Sequence, residues 1–110
     1  MAGYYDLKKA ASNGYMFNLK AGNHEIILTS ETYNSKVAAE GGIASVQTNS
    51  PHDERFERKT STRNEPYFVL KASNGQTIGK SEMYASAAAM ENGIASVKTN
   101  GSSKTVKDSA

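Results

Sequence analysis

The chain has 110 residues, of which 37% are hydrophobic and 22% are charged, and this composition is close to the globular average. It contains no cysteine, which excludes disulfides, iron–sulfur clusters and cysteine-based zinc sites. The net charge of +2 permits contact with anions, but it is weaker than the dense basic surplus of most nucleic-acid-binding domains.

No part of the chain has the roughly 7 to 15 apolar residues of a secretory signal or the about 20 of a membrane span. A secreted domain of this size would often need disulfides, so the absence of cysteine favours the cytosol. The sequence therefore predicts one cytoplasmic domain over residues 1–110, without contact with a membrane.

Three strands are predicted in the first half. A short strand lies near Tyr4 to Lys8, and Asn13-Gly14 marks the turn after it. Residues 15–21 alternate between apolar and polar side chains, which predicts a half-buried strand. A turn at Asn23 then returns the chain through a third strand over residues 25–29.

After Tyr33, the spacing of the apolar residues changes from that of a strand to that of a helix. Ser35 is a plausible N-cap, and Ala39, Ile43 and Val46 follow at helical spacing as one apolar stripe. Gly42 interrupts this helix at a cost of about 1 kcal/mol relative to alanine. Either the helix breaks there or its backbone packs closely on a neighbour, and the unbroken stripe favours close packing.

The second half repeats the first at a constant offset. Leu19-Lys20-Ala21 returns 51 residues later as Leu70-Lys71-Ala72, and Gly42 to Val46 returns unchanged as Gly93 to Val97. Each unit thus reads β-β-β-α. Two units are too few for a solenoid, so they are expected to pack together about a pseudo-twofold axis.

The expected fold class is α+β. Two tandem β-β-β-α repeats form one antiparallel sheet with both helices packed on one face. The predicted boundaries are 4–49 for repeat one, 50–54 for a linker, 55–100 for repeat two and 101–110 for a flexible tail.

The repeated motifs resemble those of a known family. F-x-L-K-A-x-N, S-E-x-Y and G-I-x-S-V each occur twice in register, and they are similar to motifs of the YegP-like proteins, which are small, bacterial, uncharacterised and often duplicated. The resemblance extends from Met1 to about Lys107. It implies β(3)-α units in one sheet, with the helices exchanged between halves, and it implies no activity, cofactor or catalytic residue.

No constellation of residues predicts an enzyme, a cofactor or a metal site. His24 and His52 fall in a turn and in the linker, without the spacing of metal ligands. There is no G-x-S-x-G nucleophile motif and no G-x-x-x-x-G-K phosphate loop. We therefore expect a protein that is not an enzyme and that holds no metal or cofactor.

The most polar repeated cluster is the Ser-Glu-x-Tyr segment after the third strand of each unit. Two matching sites there could bind a small cationic or hydroxylated ligand. The structural interpretation is preferred, with serine bonding the backbone, glutamate near a helix N-terminus and tyrosine half-buried. The residues are Ser30, Glu31 and Tyr33, with Ser81, Glu82 and Tyr84.

If both helices cover one side of the sheet, the other side is open, and we call it the open sheet face. The residues predicted to lie on it and to bind a partner are Met16, Lys20, Ile26, Leu28, Tyr67, Val69 and Lys71. Its apolar members favour a protein partner or self-association. The alternative is weak binding of single-stranded nucleic acid, with Lys20 and Lys71 on phosphates and a base stacked on Tyr67.

Overall fold

The computed structural model describes residues 3–110, so the Met1-Ala2 part of the resemblance lies outside the described residues. Two 14-residue helices and the first six strands follow the order expected from the repeat, and a seventh strand follows the second helix. The strands are β1 (Tyr4–Lys9), β2 (Tyr15–Lys20), β3 (Ile26–Ser30), β4 (Phe56–Thr60), β5 (Pro66–Lys71), β6 (Thr77–Lys80) and β7 (Val106–Asp108). The helices are α1 (Lys36–Asn49) and α2 (Ala87–Asn100).

All the strands form one sheet in the order β4-β5-β6-β3-β2-β1-β7. The two repeats meet where β3 pairs with β6, and there Thr29 lies opposite Lys80, its own counterpart 51 residues later. A residue opposite its own copy marks a twofold axis, so the predicted pseudo-twofold arrangement of the α+β fold is confirmed.

The core lies between one face of the sheet and the two helices. Phe17 and Leu19 of β2 are fully buried there, as are their counterparts Phe68 and Leu70 of β5. Aromatic rings join the layers in both repeats, since Phe17 stacks on Tyr33 at 6.3 Å and Phe68 on Tyr84 at 6.2 Å between centroids.

A serine N-cap starts each helix, at Ser35 as predicted and at its repeat counterpart Ser86. Ala38 N donates to Ser35 Oγ at 3.0 Å, and Ala89 N donates to Ser86 Oγ at 3.1 Å. Each helix contacts strands of both repeats, so the helices are not simply exchanged between halves.

The helix glycines are explained by close packing, as predicted, because both helices continue through them. A Cβ on Gly42 would overlap the Tyr33 hydroxyl, and a Cβ on Gly93 would overlap that of Tyr84. Gly41 faces open space.

The prediction that Leu28 lies on the open sheet face is wrong. Leu28 is fully buried and belongs to the core cluster. The cause is a bulge, because Leu19 pairs with Leu28 while Lys20 pairs with Ile26, so β3 has one residue more than β2 at this point. The extra residue turns both Ile27 and Leu28 towards the core.

The tail, expected to be flexible, instead contains β7. This strand lies parallel to β1, with Tyr5 N donating to Thr105 O at 2.9 Å and Ser109 N donating to Leu7 O at 2.9 Å. The sheet is therefore antiparallel except at this edge. A strand of three exposed residues has too little apolar periodicity to be recognised in the sequence.

Candidate functional site

A single row of paired residues crosses the open sheet face through every strand. Asp6, Asn18 and Thr29 form the row in repeat one, where Thr29 Oγ1 donates to Asn18 Oδ1 at 3.0 Å. The complete row, from β7 to β4, is Lys107, Asp6, Asn18, Thr29, Lys80, Val69 and Glu57.

Charge is strongly segregated onto this face. Strand alternation places on it six lysines but only two carboxylates, Asp6 and Glu57. The lysines are Lys8, Lys20, Lys59, Lys71, Lys80 and Lys107. The face therefore has an excess of four positive charges, although the whole chain has a net charge of only +2, so the rest of the chain is slightly acidic.

Two of the lysines are paired with the carboxylates in matching positions. Lys20 Nζ lies 3.2 Å from Asp6 Oδ2, and Lys71 Nζ lies 2.9 Å from Glu57 Oε1. Lys59 Nζ is also 3.5 Å from Glu57 Oε1. The hydrogen bond from Lys71 and the neighbouring positive charges hold the pKa of Glu57 below its usual value.

Only a small amount of apolar surface accompanies these charges. Met16, Ile26 and Tyr67 are half-buried on the open sheet face. Val69 is on this face by register, but only 6% of it is exposed because its cross-strand neighbours are the long side chains of Glu57 and Lys80. The apolar patch expected from the sequence therefore loses two members, because Leu28 lies in the core and Val69 is covered by its neighbours.

A second aromatic residue, Tyr4, lies on the same face but is covered. Lys107 Nζ is 4.5 Å from the centroid of its ring, and its hydroxyl is 2.9 Å from His24 Nδ1. Only 7% of Tyr4 is exposed, so its ring is not available for stacking with a ligand.

The repeated Ser-Glu-x-Tyr segments have structural roles in both units. Ser30 Oγ accepts a hydrogen bond from Phe17 N at 2.9 Å and donates one to Glu31 O at 2.7 Å. Ser81 does the same with Phe68 and Glu82, at 3.0 and 2.8 Å.

The tyrosines of these segments pack over the helix glycines, and no pocket opens among residues 3–110. Burial and the nearby carboxylates of Glu31 and Glu82 raise the pKa of Tyr33 and of Tyr84. The side chains of Glu31 and Glu82 point outwards and are exposed. The arrangement offers neither a cavity for a ligand nor a phenolate base.

The histidines are not gathered into a site. His24 is an exposed turn residue with φ of 70°, and His52 is exposed before β4. Across the described part of the chain, no group of three or more His, Asp or Glu side chains could hold a metal ion. Neither helix is long and apolar enough to cross a membrane in residues 3–110.

The structure thus brings together Met16, Lys20, Ile26, Tyr67 and Lys71 as predicted residues of one face, and it adds four lysines that the sequence analysis missed. Two of these, Lys8 and Lys59, are a repeated pair at the 51-residue offset, so the repeat could have revealed them. Lys80 and Lys107 have no repeated partner, and only the strand register places them here.

The model of one protein family, "Domain of unknown function (DUF1508)", matches residues 10–57 and 61–108. Its two matches begin 51 residues apart, which is the offset of the repeat. Each match runs from before the second strand of one unit to the strand after its helix, so the second match includes β7.

Bacterial relatives match along nearly the whole chain. The UPF0339 protein YegP of Escherichia coli K12 is 59% identical over 108 residues, covering 98% of each chain, and YegP of Yersinia pestis is 60% identical over 106 residues, covering 96% of this chain and 95% of the relative. The solution NMR structure of E. coli yegP, described as a protein of unknown function, superposes with a TM-score of 0.94 and covers 99% of this chain and 94% of that one. That of UPF0339 protein SO3888 from Shewanella oneidensis gives 0.92 at 52% identity, covering 98% and 92%.

Proposed function

We propose that this chain, which belongs to the DUF1508 family of YegP-like UPF0339 proteins, is a non-enzymatic module that binds nucleic acid through the open sheet face. The names of these proteins state no activity, so the proposal rests on the surface of the chain itself. The ligand is held by its phosphates, without readout of the base sequence. A cytoplasmic location, which this role requires, stays a prediction from the absence of cysteine.

The observation that carries the proposal is the charge segregation on this face. Six lysines and two carboxylates over seven strands form a basic surface of the kind that contacts phosphate backbones. Lysine is depleted at protein–protein interfaces, and the apolar residues that favoured a protein partner are half-buried or fully buried. Both points support nucleic acid over protein.

The test is fluorescence anisotropy of labelled random DNA and RNA, titrated with the protein at two salt concentrations. We expect binding that weakens steeply as salt rises, because each neutralised phosphate releases a counterion. Replacing Lys8 and Lys59 with glutamine should weaken binding about 10-fold or more at low salt.

Neighbouring residues provide a matched control. Lys9 follows Lys8 on β1 but lies on the helix side of the sheet, and Lys98 is on α2. Replacing Lys9 and Lys98 with glutamine removes the same net charge and should leave the affinity nearly unchanged. Absence of binding at low salt, or equal losses in the two double variants, would refute the proposed function.

A protein partner or self-association is the second candidate, favoured by Met16, Ile26 and Tyr67 on the same face. Sedimentation velocity over a wide range of concentrations tests self-association directly. A dimer that dissociates when Met16 and Tyr67 are replaced with serine would favour this candidate, and a monomer at every concentration would count against self-association.

A further inference from the structure

The charged residues of the open sheet face are arranged with near-twofold symmetry. Each repeat supplies one carboxylate and two lysines at equivalent positions, and the axis passes through the pairing of Thr29 with Lys80. The equivalent pairs are Asp6 with Glu57, Lys8 with Lys59, and Lys20 with Lys71. A single strand of nucleic acid has a direction, so it would meet the two halves in opposite orientations.

A duplex has the symmetry that a single strand lacks. Its two backbones are antiparallel and are related by local twofold axes across each groove. If such an axis coincides with the pseudo-twofold axis of the sheet, each repeat meets one backbone in the same orientation.

The spacing of two equivalent lysines sets the distance that their side chains must cover to reach a duplex. Lys20 and Lys71 lie on β2 and β5, which are separated by β3 and β6. Three steps of about 4.8 Å between neighbouring strands separate them by roughly 14 Å across the sheet. They also lie two residues from the row of Asn18 and Val69 in opposite directions, which adds roughly 14 Å along the strands and makes the total separation about 20 Å. The major groove is about 12 Å wide, so each lysine side chain has to extend inwards by roughly 4 Å to reach a phosphate, which its flexible four-carbon stem allows.

The aromatic residues of the face also favour a duplex. Proteins that prefer single strands stack bases on exposed aromatic rings. Here Tyr4 is covered and Tyr67 is half-buried, so contacts with phosphates have to supply most of the binding. A duplex, with its bases already stacked internally, needs no such platform.

From the symmetry and the lack of exposed rings, we infer that the preferred ligand is a nucleic acid duplex, with one repeat on each backbone. The inference rests on the proposed function and names its substrate class. Asp6 and Glu57 limit the affinity, because each places a carboxylate beside a lysine where phosphates would bind.

The experiment compares two labelled DNA molecules of equal length by anisotropy. One is a self-complementary hairpin, and the other is a strand that cannot pair with itself. We expect the hairpin to bind at least about tenfold more tightly, with a steeper salt dependence, because each phosphate contact contributes about 0.9 to the slope for a duplex and about 0.7 for a single strand.

Variants of the two repeats test the symmetry. Lys8→Gln with Lys20→Gln, and Lys59→Gln with Lys71→Gln, should weaken hairpin binding by similar factors and should each lower the salt slope by about 2. Glutamine removes the charge and keeps much of the aliphatic part of each lysine side chain, and circular dichroism verifies that each variant is folded. Asp6→Asn with Glu57→Gln should increase the affinity about tenfold or more, since it removes two phosphate-repelling charges.

The outcomes separate this inference from the proposed function. Equal or tighter binding of the unpaired strand would overturn the duplex inference while leaving nucleic-acid binding in place. Loss of hairpin binding in only one of the two repeat variants would also overturn it, because the ligand would then contact one half. If neither DNA binds at low salt, both proposals fall.

Discussion

Strands β1 and β4 are the same strand of the repeat in two different places in the sheet. Leu7 of β1 is fully buried, whereas its counterpart Arg58 of β4 is exposed along a strand of mostly exposed residues. The difference follows from β7, which extends the sheet beyond β1 but has no equivalent beyond β4. A strand with a neighbour on each side can bury leucine, while an edge strand benefits from charge that discourages pairing with other chains.

The exposed arginine of β4 belongs to a network of ion pairs. Arg58 Nε donates to Glu91 Oε2 at 2.7 Å, and Asp53 joins the same network through Arg58 and Lys98. These bonds raise the pKa of Arg58 and lower those of Asp53 and Glu91. The comparison teaches that location in the sheet, rather than ancestry in the repeat, selects the residue at a given position.

The largest effect on the free energy of unfolding is expected when Leu7 of β1 is replaced by arginine, the residue at the equivalent position of β4. Leu7→Arg places a charge in a fully buried position without a partner, and we expect it to cost about 3 to 5 kcal/mol of unfolding free energy. The reverse change, Arg58→Leu, removes only surface ion pairs and should cost less than about 1 kcal/mol. Urea denaturation measures both, and similar losses would show that the two sites are not different environments. If Leu7→Arg does not fold, Leu7→Ala provides the measurable comparison.

The second contrast is between Leu28 and Gly79, which are counterparts on the central strands. Leu28 fills the core beside Gly79, where an added Cβ would lie 3.1 Å from Leu28 Cγ. Leu28→Ala should therefore destabilise the fold by about 2 to 5 kcal/mol. The half-buried Ile26 is the control, and its alanine variant should cost clearly less. Equal costs for the two variants would contradict the position of Leu28 in the core.

The helix glycines allow a comparison within one helix. Gly42→Ala should destabilise the protein by about 1 to 3 kcal/mol, because its Cβ would overlap the Tyr33 hydroxyl. Gly41→Ala enters open space and should stabilise the helix by up to about 1 kcal/mol. Thermal unfolding distinguishes the two, and Tyr33→Phe should partly rescue Gly42→Ala by removing the overlapping hydroxyl. A stabilising Gly42→Ala would show that close packing does not explain this glycine.

The smallest effect is expected from acid, and it should be larger in β4 than in β2. Asp53, Glu57 and Glu91 have folded-state pKa values below their usual ones, chiefly because Lys98, Lys71 and Arg58 respectively bond to them. Their contribution to the free energy of unfolding is complete above the unfolded-state pKa of about 4, and it is lost as pH falls towards the folded-state pKa. The hydrogen-exchange protection factor, which is the intrinsic exchange rate at each pH divided by the observed rate, should therefore fall in β4 more than in β2 as pH is lowered from about 5 to about 3. An equal loss of protection in the two strands would show that these exposed pairs do not stabilise the edge.

The site was only partly predictable from sequence. Lys20, Lys71, Met16 and Tyr67 could be placed on the open sheet face because strict alternation within β2 and β5 assigns them to it. Leu28 was misplaced because a bulge changes the alternation, and bulges depend on how two strands pair rather than on either strand alone. Lys107 was missed because its strand is recognisable only by its neighbour.

The sequence by itself determined the duplication, the β-β-β-α unit, both helix N-caps and the close packing at Gly42 and Gly93, because these follow from local patterns that occur twice. Only the tertiary structure decided which residues share a face across strands distant in sequence. A net charge of +2 gives no sign of a face with four excess positive charges. The physical reason is that register between strands is a long-range property, and it adds Lys80 and Lys107, which have no counterpart in the repeat, to the four lysines that the repeat arranges in pairs.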